Sequence, residues 1–102
     1  MSYAVVYVTF PDRKSANKIS KHLLKNKLIV CSNIFQVSSE YWWKKRIEKT
    51  REVAMLAKTT DKKFAEVKKE IIRLHPYKVP VIEKIKASAN TSAEKWIRSY
   101  LK

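Results

Sequence analysis

The side chains best suited to chemistry are few: one thiol, Cys31, two imidazoles, His22 and His75, and two aspartates, Asp12 and Asp61. Nucleophilic catalysis by Cys31 would need a base beside it, which only His22 or His75 could supply. Cys31 instead falls on the apolar side of an alternating stretch, where a thiol packs as a small, inert hydrophobe. Asp12 and Asp61 each stand where a helix begins, and capping accounts for both. A metal site needs three or four convergent donors, and one Cys separated from the two His by 9 and 44 positions follows no known ligand spacing. His22 lies on the basic flank of a helix and is expected in solvent. His75 precedes Pro76 at a helix end, where an imidazole can bond orphan carbonyls as well as line a pocket. No catalytic constellation emerges, so a non-enzymatic protein is expected.

A second kind of chemistry is open to the basic and aromatic residues. Lys44-Lys45-Arg46 directly follow Tyr41-Trp42-Trp43, and cations for phosphates beside rings for stacking suit nucleic acid or another polyanion. The balance of 23 Lys and Arg against 9 Asp and Glu, a formal +14, points the same way. The absence of glycine works against it. A phosphate-binding loop, a dinucleotide turn, a KH clamp and the RNP1 motif all need Gly where backbone meets ligand, and this chain has none. Arg51–Lys58 also lacks the aromatic pair of an RNA-reading sheet. A basic nucleic-acid or polyanion-binding module is the alternative reading.

These residues must be positioned by what 102 residues can build, which is one domain, 1–102. Tyr3–Phe10 is β-branched and aromatic and reads as a central strand buried on both faces. Asp12 caps a helix with Ala16, Ile19, Leu23 and Leu24 on one face, closing near Asn26, the residue available for a left-handed cap. From Leu28 to Trp43 apolar residues recur at odd positions, and a second strand is expected from Ile47 to Thr59. The first arm would span ~50 Å at ~3.3 Å per residue, so it bends or reaches past its own core. A protruding arm ending in aromatics needs covering, most simply by a second copy of the chain. Asp61 opens a helix carrying Phe64, Val67, Ile71 and Leu74; Val79–Ala87 reads as a fourth strand. Thr91-x-x-Glu94 has capping-box form before a helix with Ala93, Trp96, Ile97, Tyr100 and Leu101 on one stripe. The order βαββαβα is α+β: a ferredoxin-like antiparallel sheet with helices on one face, a long central hairpin and an extra C-terminal helix. A single Cys fits a reducing, cytoplasmic setting. Tyr3–Val8 is too short for a membrane span of ~20 residues and no basic segment precedes it, so a soluble start is expected.

Read together, Thr9-Phe-Pro-Asp-Arg-Lys-Ser-Ala16, Leu28-Ile-Val-Cys-Ser-Asn33, Tyr41-Trp-Trp, Glu48, Glu52-Val53, Lys58-Thr59, Leu74-His-Pro-Tyr77, Val79-Pro80 and Trp96-Ile97 resemble the CutA family of divalent-cation tolerance proteins. The resemblance spans nearly the whole chain. It implies a cytoplasmic, PII-like homotrimer that responds to metal ions, with no established reaction and with Cu²⁺ or another divalent cation as the ligand class. The positions that match point to Cys31, Trp43, Lys58, His75 and Tyr77 as lining a cleft between subunits. The family's bacterial copper ligands fall at Val8, Leu74 and Val81, none of which can hold a metal. Any copper site would need Cys31, His75 or a neighbouring Glu brought together by the trimer. Lys44-Lys45 stand where the family has Glu-Gly, so the hairpin tip is expected to be wider than a tight turn.

Overall fold

The computed structural model describes residues 2–101. In chain order it contains β1 (Tyr3–Phe10), α1 (Arg13–Lys25), β2 (Cys31–Trp43), β3 (Arg46–Thr59), α2 (Phe64–Leu74), β4 (Ile82–Ala87) and α3 (Thr91–Tyr100). The strands form one antiparallel sheet in the order β2-β3-β1-β4, the ferredoxin-like arrangement expected.

Alternation along the strands decides which face receives the helices. Val6, Val8 and Phe10 of β1 and Val53, Met55 and Ala57 of β3 point to one side, where they pack with Ala16, Ile19 and Leu23 of α1 and Val67 and Ile71 of α2. Burying each of the larger side chains contributes ~1.5–3 kcal/mol. α1 and α2 leave the opposite face open: Val5, Tyr7 and Leu56 are only half buried and Phe35 is exposed. β1 is thus covered on one face, not two as its apolar run suggests, because its Tyr3, Val5, Tyr7 and Thr9 lie on the open side.

Polar contacts fasten the helix layer. The Asp12 carboxylate accepts from the Ser15 N–H at 2.8 Å, as a cap should, and this bond holds its pKa below the ordinary value. His22, expected in solvent, lies 2.7 Å from Glu70 and ties α1 to α2. The Arg73 guanidinium, and then His22, bring the Glu70 carboxyl down to about 2. Several local expectations are corrected. The left-handed residue after α1 is Lys27 (φ 54°), since Asn26 uses its side chain on the His22 carbonyl instead. α2 begins at Phe64 because the Thr60 hydroxyl and main chain organise the preceding turn, while Asp61 pairs with Lys84. β2 begins at Cys31 and β4 at Ile82, since Leu28 and Ile29 are drawn into the core and Pro80 interrupts pairing. At α3 the cap is Asn90, and Glu94 reaches back to the Ala89 N–H at 2.9 Å. Ile97 and Leu101 are buried there, whereas Trp96 and Tyr100 are exposed.

β2 and β3 run past the helix-covered body, and the molecule measures 44 × 23 × 21 Å. The arm does not bend back; its 13 paired residues account for the long axis at ~3.3 Å each. Its tip also departs from the expectation. Trp43 pairs directly with Arg46, and Lys44 (φ 50°) and Lys45 (φ 66°) form a tight two-residue turn. Positive φ at both central residues matches the right-handed twist of the strands, and it is imposed here on lysines where Asn-Gly is favoured. The left-handed region costs a residue with a Cβ roughly 1–2 kcal/mol. Lys44→Asn with Lys45→Gly should therefore raise stability to chemical denaturation by about 1 kcal/mol; an unchanged or lowered midpoint would contradict this turn.

Candidate functional site

Pro76 excludes helical backbone at His75, which sits at φ −71° and ψ 137°. Its imidazole then engages the main chain on both sides. Nε2–H donates to the Thr9 carbonyl at 2.8 Å, and Nδ1 accepts from the Tyr77 N–H at 3.0 Å. The ring stacks on Phe10 with centroids 4.7 Å apart and planes 14° from parallel. This pattern requires the neutral Nε2–H tautomer, since a proton on Nδ1 would face the Tyr77 donor. Burial pushes the His75 pKa below its ordinary value, against the opposing pull of the Thr9 carbonyl and the Glu52 carboxylate.

The same clamp places Tyr77. Its ring tilts against His75 at 4.9 Å, and its hydroxyl donates to Glu52 Oε2 at 2.6 Å. Burial, and then the Glu52 carboxylate, raise the phenol's pKa far enough to keep it a donor. Glu52, on the open face of β3, is only 8% exposed. Around this pair a groove of about 760 Å³ opens between the arm and the loop after α2. Tyr41, Trp42 and Trp43 wall one side, Tyr77 and Val81 the other, and Glu52 and Glu83 both reach it.

Trp43 and Tyr77 are thus brought to one groove, with His75 as the post behind Tyr77. Cys31 and Lys58 are not. They pair with each other across β2 and β3, where Lys58 Nζ donates to Asn33 Oδ1 at 3.5 Å. Six residues of β3 separate Lys58 from Glu52, ~20 Å of extended strand. Lys44 and Lys45 make the turn, and Arg46 lies 3.6 Å from Glu48. In the sequence Tyr41 stood out only as a stacking ring and Glu52 only within a family motif, and Glu83 did not stand out at all. A signal for Glu52 existed, since it opens the Val53–Ala57 apolar run on the face that also carries Ala54 and Leu56.

The residues at the bacterial copper positions do not fit a metal. Val8 is in the core, Leu74 packs against it, and Val81 offers only carbon to the groove. Both nitrogens of His75 are occupied by main chain. Among the described residues no three His, Cys, Asp or Glu converge as a metal site.

A family model described as CutA1 divalent ion tolerance protein matches residues 4–100. The chain belongs to this family. The divalent-cation tolerance protein CutA of Thermococcus kodakarensis is 45% identical over 85 residues, 83% of this chain and 82% of that one. The CutA of Pyrococcus horikoshii is 43% identical, covering 91% and 92% of the two chains. The solved structure of a protein described as the periplasmic divalent cation tolerance protein CutA from Archaeoglobus fulgidus superposes with a TM-score of 0.95 at 37% identity, covering both chains fully. CutA membership and the ferredoxin-like fold therefore agree with the sequence motifs. Among the described residues no helix is long and apolar enough to cross a membrane.

His75→Ala strands the Thr9 carbonyl and the Tyr77 N–H and removes a stacked ring, so it should cost about 2–4 kcal/mol in denaturant titrations. The sign of the pH effect follows from the lowered pKa. The imidazole's contribution is complete above the unfolded value of 6.5 and declines as pH falls below it towards the folded value. Stability measured between pH 8 and 5 should show this decline in the wild type and lose that component in His75→Ala; a variant as stable as the parent would remove the clamp from the account.

Proposed function

We propose that this CutA chain, one domain over 1–102, works as a non-catalytic, cytoplasmic homotrimer that binds its ligand in clefts between subunits during the response to divalent cations. The open sheet face carries the proposal. Val5, Tyr7, Leu56, Phe35 and Ile85 form a continuous apolar surface on the side opposite α1 and α2, and the arm extends it beyond the body. Exposed apolar area of this kind in a soluble chain marks an interface, and a copy of the same chain would also protect the arm's edge. Assembly gives a role to the ~20 Å between the two groups of candidate residues. A neighbour's Cys31 and Lys58 could meet the Trp43, Glu52 and Tyr77 groove, which one chain cannot arrange by itself.

Divalent-cation response in this reading does not run through chelation by His75, whose nitrogens serve the backbone. Cys31 is a free thiol, consistent with a reducing compartment. The polyanion alternative finds no support in the names of the relatives, and the basic tip is read as the solvated end of the arm. Light scattering should give a mass near three times 12.0 kDa at low and high salt. Phe35→Lys, which puts a charge on the open face, should reduce it to a single chain while the helix signal in circular dichroism persists. A wild-type monomer would overturn the assembly.

A further inference from the structure

We propose that the outward face of α1 binds a linear inorganic polyphosphate through a row of lysines, Lys14, Lys18, Lys21 and Lys25. α1 packs on the helix-covered side of the sheet, away from the open face that assembly would use. The site therefore belongs to the single chain, and the proposal goes beyond the cleft reading without depending on it.

Three observations combine. First, the four lysines form one row. Their steps of four, three and four residues keep them within ~60° around the helix axis and spread them over ~17 Å along it. Ala16, Ile19 and Leu23 occupy the opposite side of the helix, so the row points away from the core, and all four lysines are exposed. Second, the row is uncompensated. α1 contains no acidic residue, and among the described residues no ion pair includes any of the four. Glu70 of α2, the acid that reaches α1, is held by His22 and Arg73. Lys14 and Lys18, Lys18 and Lys21, and Lys21 and Lys25 are like charges at the spacings where helical side chains meet. The first turn, which favours anions, carries Arg13 and Lys14 instead. Phosphates laid along the row turn this repulsion into attraction. Third, Lys21 and Lys25 edge a shallow recess shared with Leu24 and the exposed Asn17, whose amide can donate beside the two ammonium groups.

The composition of the face selects the polyanion. α1 has no Phe, Tyr or Trp, so nucleobases find no ring to stack on. The row is all lysine, and lysines act as point charges without the planar fork that reads a base edge. Leu24 is the one large apolar side chain that α1 exposes, too little to seat the helix in a bilayer. What remains is attraction to closely spaced phosphates, which an inorganic chain offers with no bases between them. An assembly built on the open sheet faces would point its helix layers outwards in different directions. A flat membrane then meets one row at a time, whereas a flexible chain passes from one row to the next and gains in effective concentration.

The test uses the full-length protein and long-chain inorganic polyphosphate, followed by calorimetry at physiological salt, with a single-stranded oligonucleotide of equal charge as comparison. Polyphosphate should saturate, lose affinity steeply as salt rises, and bind at least tenfold more tightly than the oligonucleotide. Lys14→Gln, Lys18→Gln, Lys21→Gln and Lys25→Gln together should weaken it at least tenfold. Gln is as good a helix former as Lys, so the helix signal in circular dichroism should persist. Lys18→Gln with Lys21→Gln should give an intermediate loss. Lys44→Gln, Lys45→Gln, Arg46→Gln and Lys49→Gln remove the same four charges from the +14 at the arm, and should leave binding within threefold of the parent. The proposal is overturned if polyphosphate gives no saturable signal or if the oligonucleotide binds as tightly. It is also overturned if the α1 and arm variants lose affinity equally, which would place the attraction in the net charge. Light scattering on the unliganded samples separates the causes. A monomer that binds polyphosphate counts against the assembly alone, and a trimer that does not bind counts against this site alone.

Discussion

A neutral imidazole held between two main-chain groups is the constraint on which the site depends. His75 donates to the end of β1 through Thr9 and accepts from the loop through Tyr77, so the strand and the loop are held in one register. Stacking on Phe10 anchors the ring to the core, and Tyr77 is then aimed at Glu52. Loss of the imidazole would release the loop, the phenol and one wall of the groove together. The role is positional: a ring with both nitrogens committed has no lone pair left for a metal. This separates the chain from copper chemistry through His75 more firmly than the missing ligands at Val8, Leu74 and Val81 do alone.

Much of the architecture was legible because period and chemistry agreed. The alternation in Val6, Val8 and Phe10 and the helical spacing of Ile19 and Leu23 point to the same core, and Asp12 caps where its position suggested. Boundaries failed where a tertiary contact outweighed a local preference. Asp61 looks like a cap but is drawn to Lys84, and Val79 looks like a strand but lies in the loop that forms the groove. The hairpin tip failed for a different reason. Without glycine a wider tip was expected, yet thirteen cross-strand pairs impose the left-handed backbone on Lys44 and Lys45. A small local cost is outweighed by a long, cooperative ladder.

The candidate site was legible only in part. Trp43 and Tyr77 were found through the family motifs, whereas Glu52, though part of one such motif, drew no role because it carries no local signature beyond its place in an apolar strand. Cys31 and Lys58 belong to a different row of the sheet, a separation no one-dimensional pattern reveals. The net charge likewise hid the character of the groove, which is acidic and aromatic inside a basic chain. A global count describes the field around a protein, and the site is set by the few charges that face it.

The clamp can be seen directly in the ¹⁵N resonances of the His75 ring as pH is lowered from 8 to 5. The account predicts the Nε2–H tautomer at neutral pH and protonation below the ordinary 6.5. An Nδ1–H tautomer, or titration at or above that value, would mean that the imidazole is free of Thr9 and Tyr77, and the account of the site would fail with it.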